Sequence, residues 1–148
     1  MAEPPELSVV VPAYNESGRL PETLSIIKPY LNGLGLRWEL IIVNDGSSDR
    51  TMDLIRTEEG LDPSHVRGID LQPNGGKGRA VAAGVAATQG ELVLISWAGR
   101  HCRRGCPCWA CLPLLARLLR LASPANNRPH IHPSAAIATF SQLPGFHT

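Results

Sequence analysis

Four short apolar runs, each ended by polar or turn-forming residues, recur along the first two thirds of the chain. They occupy residues 7–11, 38–43, 66–71 and 91–96, and the third is the weakest of them. Short continuous apolar runs are typical of strands buried on both faces of a parallel sheet. Pro12 is predicted to end the first strand, because proline cannot donate to a strand ladder.

Helical patterns separate these runs. A first helix is predicted from about Arg19, and Pro29 is expected to kink or shorten it. A second helix is predicted from about Asp49. A third follows a glycine-rich loop at residues 72–78, and Gly90 is well placed as its C′ residue. The apolar face of the first helix is predicted to comprise Leu20, Leu24, Ile27 and Leu31.

Strands and helices therefore alternate, beginning and ending with a strand. Because crossovers between parallel strands are right-handed, this order predicts an α/β fold with a Rossmann-like open parallel sheet. Ala80 and Gly84 share a face of small residues that would let the third helix lie close on the sheet. From Ser123 onward the content of proline, asparagine, histidine and serine predicts an irregular or disordered tail.

Charge and cysteine usage change abruptly near residue 96. Residues 1–96 contain all 13 Asp and Glu residues and 8 of the 14 Lys and Arg residues, a net charge of −5. Residues 97–148 contain 6 arginines, no acidic residue and all 4 cysteines. We therefore divide the chain into a domain at 1–96 and an atypical Arg/Cys/Pro-rich tail at 97–148. The overall net charge of +1 gives no electrostatic reason to expect a nucleic acid partner.

Candidate chemistry gathers where the predicted strands end. Ligands of open α/β sheets bind at the carboxyl edge of the strands. The loops at residues 12–16 and 44–47, and the segment after Ser96, are predicted to converge there. The start of the third helix reaches the same edge.

Four side chains at this edge offer binding chemistry, and each also has a purely structural interpretation. Tyr14 presents an aromatic face, or packs under its loop. Glu16 and Asp45 present carboxylates, or belong to a helix N-terminus and a capped turn. Lys77 presents a cation to a phosphate, or is a solvated charge at a helix start, where the helix dipole disfavours it.

Two common nucleotide-binding motifs are excluded by particular residues. A dinucleotide-binding unit requires Gly-x-Gly-x-x-Gly directly after the first strand, where this chain has Pro-Ala-Tyr-Asn-Glu at residues 12–16. A P-loop requires Ser or Thr after its Gly-Lys pair, where Gly78 stands, and an earlier glycine, where Leu71 stands.

Three segments resemble the family two inverting glycosyltransferases, which have the GT-A fold. Residues 9–16 (VVVPAYNE) resemble the first-strand motif of that family. Residues 42–51 (IVNDGSSDRT) resemble the second motif, which usually has two aspartates, the first being Asn44 here. Residues 74–80 (NGGKGRA) resemble the Asn-x-Gly-Lys-Gly-x-Ala element of the branch that acts on polyprenyl carriers, which includes dolichyl-phosphate glucosyl- and mannosyltransferases. The resemblance covers residues 7–96, the N-terminal half of a GT-A fold.

This resemblance implies a function and a set of site residues. The enzyme would move a hexose from UDP- or GDP-hexose to a polyprenyl (dolichyl) phosphate, with inversion. Asp45 would lie near the base, Glu16 near the nucleoside and Lys77 near the diphosphate. The implied nucleotide-sugar-binding residues are Pro12, Ala13, Tyr14, Glu16, Asn44, Asp45, Gly46 and Lys77.

The chain departs from the family after its fourth strand. Family members carry an Asp-x-Asp motif there, which holds Mg²⁺ or Mn²⁺ against the diphosphate. This chain has Trp97, Ala98 and Gly99 instead, and no Asp or Glu beyond them. We therefore expect an absent or incomplete metal site and poor catalysis. The alternative function is a catalytically inactive nucleotide-binding remnant or interaction module.

The tail allows several further expectations. Residues 97–148 are interpreted as out-of-frame or alternative sequence, which sequencing of the transcript across the Ser96 codon would test. The cysteines at 102–111 are interpreted as incidental thiols rather than zinc ligands. Residues 112–122 are predicted to form a short amphipathic helix. A bare flank beside the fourth strand would favour self-association. With no apolar leader or membrane span in the sequence, we expect a cytoplasmic location, free or peripheral to a membrane.

Overall fold

The computed structural model describes residues 3–96 and the backbone of residues 136–139. Within residues 3–96, strands and helices alternate as the apolar pattern predicts, so the predicted order is confirmed. The elements are β1 (Leu7–Ala13), α1 (Leu20–Gly33), β2 (Trp38–Asp45), α2 (Thr51–Leu61), β3 (Val66–Leu71), α3 (Lys77–Ala86), β4 (Leu92–Ile95) and β5 (Ala136–Thr139).

The strands form one parallel sheet in the order β3-β2-β1-β4-β5. Alternate residues of β1 and β2 point to opposite faces, and both faces are buried. One face packs against α1 and α2 in a cluster that includes Val9, Leu24, Leu40 and Ile55. The other face packs against α3 in a cluster that includes Val10, Ile41, Val43 and Ala80. Burial on both faces explains why these strands have continuous apolar sequences.

Helix α3 lies close on the sheet, as its small residues predict. A Cβ atom placed on Gly84 would lie 2.3 Å from Cγ1 of Val10 and 3.0 Å from Cγ2 of Val43. Both valines are fully buried in the sheet, so neither has free space to move into. Only glycine fits at this point of contact between helix and sheet.

Gly84→Ala is therefore expected to lower the free energy of unfolding by about 1–3 kcal/mol, the usual cost of overpacking a core. Urea denaturation measures the change. Gly78→Ala is the matched control, because it lies in the same helix and a Cβ there would meet nothing within 4 Å. The free energy of unfolding of the control should stay the same or rise, because alanine favours a helix more than glycine does. Equal stability of Gly84→Ala and wild type would contradict the close packing of α3.

Three boundary predictions are wrong, each for a local reason. Strand β1 continues through Pro12, because the backbone of this position faces β4, which ends at Ile95. Helix α1 is not shortened at Pro29, which lies on its exposed side, where water can satisfy the carbonyl that loses its donor. The kink expected there stays a prediction. Gly90 is not the C′ residue of α3. The helix ends at Ala86, and Gly90 instead gives Ser8 of β1 room to approach.

The predicted bare flank of the sheet is also wrong. Strand β5 pairs in parallel with β4, with Leu92 opposite Ala136 and Ile95 opposite Thr139. The edge of the sheet is therefore β5 rather than β4, and self-association stays a prediction. Within the tail that we expected to be irregular, residues 136–139 thus form a strand. The Trp-Ala-Gly segment at 97–99, the cysteines at 102–111 and the predicted helix at 112–122 lie outside the described residues.

Candidate functional site

Three loops meet at the carboxyl edge of the sheet. The β1–α1 loop touches the β2–α2 loop where the Asn15 N–H donates to Ser47 Oγ (3.0 Å). The β3–α3 loop touches the end of β2 where the Gly75 N–H donates to Asp45 Oδ1 (3.0 Å). These contacts join segments about 30 residues apart in sequence into one rim. All eight residues predicted from the sequence lie on or beside this rim: Pro12, Ala13, Tyr14, Glu16, Asn44, Asp45, Gly46 and Lys77.

The β1–α1 loop carries an exposed ring and a partly buried carboxylate. The Tyr14 residue is 50% exposed, so it does not pack under its loop. The Glu16 side chain is 15% exposed, and its Oε2 lies 3.3 Å from Nε of Arg19. That oxygen is buried and accepts no hydrogen bond. Arg19 thus anchors the Glu16 carboxylate through this oxygen, and the exposed part of the side chain can meet a donor that arrives at the rim.

Asp45 and Asn44 end β2, and both are buried and hydrogen-bonded to neighbouring loops or strands. Asp45 is 2% exposed, and it holds the β3–α3 loop at two points. Its Oδ1 accepts from the Gly75 N–H, and its carbonyl oxygen accepts from Asn74 Nδ2 (2.9 Å). Asn44 is 0% exposed; its Nδ2 donates to Asp70 Oδ1 (2.7 Å), and its Oδ1 accepts from the Ser47 N–H (3.2 Å). The motif around Asp45 therefore assembles the rim as well as lining it.

Gly46 and Lys77 complete the predicted set. Gly46 has a φ of +66°, and a Cβ there would lie 2.4 Å from the backbone nitrogen of Asn74. Lys77 is the first residue of α3 and is exposed at the start of that helix. A helix N-terminus with a cation beside it is suited to binding an anion such as a phosphate.

Asp49 is a rim residue whose role the sequence did not reveal, since it entered only as the start of the second helix and as part of the second motif. Its Oδ2 accepts from the Ser17 N–H (3.1 Å), and its Oδ1 accepts from the N–H (3.0 Å) and the hydroxyl of Thr51. Partial desolvation raises the pKa of the Asp49 carboxyl, but these hydrogen bonds outweigh it and hold the pKa below its usual value. Because the folded-state pKa is lowered, the stabilisation is present above the ordinary aspartate pKa and is lost as the pH falls through the folded-state value.

Other residues of the rim were not singled out as site residues, although most of them lie in the quoted motifs. Their short polar side chains are frequent in any turn, so composition alone does not distinguish those that link two loops. They are Asn15, Ser47, Ser48, Thr51, Asp70, Asn74 and Gly75.

The chemistry of this rim suits a ligand that combines hydrogen-bond donors, an aromatic ring and an anionic group. Carboxylates accept from hydroxyl and N–H groups, an exposed aromatic ring can stack on another ring, and a lysine at a helix start attracts phosphate. Among residues 3–96 there is no group of three or more His, Cys, Asp or Glu residues that could hold a metal ion.

Solved structures with this fold include two proteins with bound nucleotides. The mannosyltransferase PcManGT from Pyrobaculum calidifontis, in complex with GDP-Man and Mn²⁺, superposes with a TM-score of 0.55 and is 26% identical, over 65% of this chain and 28% of that protein. Residues 1–349 of TarS from S. aureus, in complex with UDP, superpose with a TM-score of 0.52 and 26% identity, over 63% of this chain and 27% of that protein. The predicted GT-A architecture is thereby confirmed.

Curated relatives act on lipid-linked phosphates. An undecaprenyl-phosphate 4-deoxy-4-formamido-L-arabinose transferase from Shewanella sediminis is 36% identical over 88 residues, which are 60% of this chain and 27% of that protein. A dolichyl-phosphate beta-glucosyltransferase from Trichomonas vaginalis is 40% identical over 94 residues, with 60% of this chain and 29% of that protein covered. The chain therefore spans less than a third of the length of these relatives.

The family model for glycosyl transferase family 2 matches residues 8–96. This segment begins in β1, ends directly after β4 and contains all three loops of the rim. The match covers more than half of the chain and confirms the family predicted from its motifs. The chain belongs to glycosyl transferase family 2.

Proposed function

We propose that the rim binds the nucleoside diphosphate of a UDP- or GDP-hexose, and that residues 1–96 are the nucleotide-sugar-binding part of a polyprenyl-phosphate glycosyltransferase. The main support is the Glu16 carboxylate, which Arg19 holds beside the rim through Oε2 and whose side chain stays 15% exposed. A nucleoside supplies hydroxyl and N–H donors, whereas a phosphate supplies only acceptors and would be repelled. Glu16 is therefore assigned to the nucleoside.

The neighbouring residues take complementary roles. The exposed ring of Tyr14 stacks on the flat base of the nucleoside, and Lys77, at the start of α3, attracts the diphosphate. Asp45 acts mainly by holding the glycine-rich loop in place through Gly75. This assignment revises the role that the family resemblance gave Asp45, because one of its two carboxylate oxygens is already engaged by the protein.

Catalysis requires more than this rim. The metal ion used in the family stabilises the leaving diphosphate, but this sequence has Trp97 and Gly99 in place of the Asp-x-Asp pair and no acidic residue beyond Ser96. We therefore assign nucleotide-sugar binding to this chain and expect little or no transfer. In an assay with UDP-glucose, Mn²⁺ and dolichyl phosphate, metal-stimulated release of UDP by this chain would contradict that assignment.

The location proposed for the chain follows from the polyprenyl phosphate that would receive the sugar. None of the described helices is long and apolar enough to cross a membrane. A polyprenyl phosphate lies in a membrane, with its phosphate at the surface, so we propose a cytoplasmic protein that works at the membrane periphery.

Calorimetric titration of the full chain with UDP and with GDP tests the proposal. We expect one of them to bind, and Glu16→Ala to weaken that binding by about 10- to 100-fold, because a hydrogen bond to a charged group contributes about 1.5–3 kcal/mol. Glu22→Ala is the matched control, since Glu22 carries an exposed carboxylate in the first turn of α1, the helix that follows the Glu16 loop. Failure of both nucleotides to bind, or equal loss in the two variants, would defeat the proposal.

A further inference from the structure

Asn15 has an unusual backbone conformation between two candidate ligand-binding side chains. Its φ of +51° makes it the one non-glycine residue with a positive φ among the described residues. Asparagine tolerates this left-handed conformation better than most residues, yet it still carries strain. Such strain persists only where the surroundings hold it, and it concentrates at functional sites.

The surroundings of Asn15 are the β2–α2 loop. The Ser48 N–H donates to Asn15 Oδ1 (2.9 Å), with the Ser48 hydroxyl also within reach (3.4 Å). In the opposite direction, the Asn15 N–H donates to Ser47 Oγ (3.0 Å). Asn15 therefore both donates to and accepts from one neighbouring loop.

The backbone N–H groups of the next two residues donate to the β2–α2 loop and to the first residue of α2. The Glu16 N–H donates to Thr51 Oγ1 (2.9 Å), and the Ser17 N–H donates to Asp49 Oδ2 (3.1 Å). Thr51 is 0% exposed, so its hydroxyl is fixed within the protein. We call these contacts the loop clasp; its members are Asn15, Glu16 and Ser17 on one side and Ser47, Ser48, Asp49 and Thr51 on the other.

The loop clasp fixes three consecutive backbone N–H groups before any ligand arrives. Because Asn15 lies between Tyr14 and Glu16, its φ sets the direction of the Glu16 side chain relative to the Tyr14 ring. A loop that is already ordered pays less conformational entropy on binding than one that must be ordered by the ligand.

We propose that Asn15 is a positioning residue, which uses its side-chain bond to Ser48 to hold Glu16 in the orientation that receives the nucleoside. This inference rests on the proposed function. It assigns to Asn15 a role in affinity without contact with the ligand. Its exposed position on the surface predicts a small role in global stability.

Two substitutions separate the side-chain bond from the backbone conformation. Asn15→Gly permits the positive φ but removes the Oδ1 acceptor, whereas Asn15→Asp keeps an acceptor and tolerates the same φ. Calorimetry with the nucleotide that wild type binds should give a roughly tenfold loss for Asn15→Gly and a loss within about threefold for Asn15→Asp. The melting temperatures of both should stay close to that of wild type.

A double-mutant cycle identifies the route of the effect. If Asn15 acts through Glu16, Asn15→Gly should cost little further affinity in a Glu16→Ala background. Full additivity of the two losses, or wild-type affinity in Asn15→Gly, would overturn the inference while leaving the proposed function intact. Absence of binding by wild type would defeat the proposed function first, and this inference with it.

Discussion

Replacing Gly46 with alanine should lower the free energy of unfolding by about 2–4 kcal/mol, because two separate penalties meet at this residue. The first is conformational: a φ of +66° is disfavoured for a residue with a Cβ. The second is steric: the added Cβ would lie 2.4 Å from the nitrogen and 2.8 Å from the Cα of Asn74. Both are backbone atoms, which cannot move aside as a flexible side chain would.

The same substitution should also damage the rim. To relieve the clash, the β3–α3 loop must move away from β2, and this movement breaks the bonds of Asp45 to Asn74 and Gly75. We therefore expect nucleotide affinity to fall below detection even under conditions where the variant remains folded. Chemical denaturation and calorimetry measure the two effects separately.

Gly60→Ala is the matched control for Gly46→Ala. Gly60 lies inside α2, where a Cβ would meet nothing within 4 Å. Alanine favours helix over glycine by about 1 kcal/mol, so this variant should be more stable than wild type and bind nucleotide equally well. If Gly46→Ala were to match wild type in stability, the tight contact between the loops would be refuted.

The framework of the fold could be predicted because its signal is local. Strands β1 and β2 are buried on both faces, and such burial leaves an unbroken apolar run in the sequence. Helix α1 buries one side only, which leaves apolar residues at helical spacing. Each pattern can be recognised without knowing what packs against it.

Strand β5 has no comparable signal. It is four residues long, and it is defined by its pairing with β4, about 40 residues earlier in the chain. A short segment in a region rich in proline and asparagine fits a loop equally well. Its pairing with Leu92–Ile95 is what distinguishes this strand from a loop.

The site shows the same division between local and distant information. Glu16 and Asp45 were identified because a carboxylate after a buried strand is visible in the sequence. The role of Asn15 was not identified, because its hydrogen bond to Ser48 joins residues 33 positions apart. The engagement of Asp45 with Gly75 spans 30 positions and was missed for the same reason. Sequence patterns thus located the rim but not the hydrogen bonds that assemble it.

Asn44 is where the chain departs from the usual pair of aspartates, and its contacts supply a physical reason. Its Nδ2 donates to Oδ1 of Asp70 over 2.7 Å, from a position that is 0% exposed. A second carboxylate in this position would lose the hydrogen bond to Asp70 and would lie beside a like charge. In this chain an amide at residue 44 and a carboxylate at residue 70 form a matched pair.

Asn44→Asp is therefore expected to lower the free energy of unfolding by about 1–3 kcal/mol near pH 7, since the buried carboxylate keeps the Ser47 N–H as a donor but lies beside the like charge of Asp70. The two carboxyl groups can share a proton only if their folded-state pKa values rise above the unfolded-state value of about 4. A raised folded-state pKa means that the folded protein binds more protons than the unfolded chain. The loss should be full above the folded-state pKa values and should shrink as the pH falls through them.

A compensating substitution tests whether the pair itself is responsible. Asp70→Asn in the Asn44→Asp background places the donor on β3 and the acceptor on β2, so that one hydrogen bond can form again. We expect the double variant to regain most of the lost stability and to lose the pH dependence in urea denaturation at about pH 5 and pH 7. Asp70→Asn alone leaves two neutral amides and should cost less than about 1 kcal/mol. An Asn44→Asp protein as stable as wild type at neutral pH, or a double variant no better than the single, would show that the contact between Asn44 and Asp70 does not constrain this position.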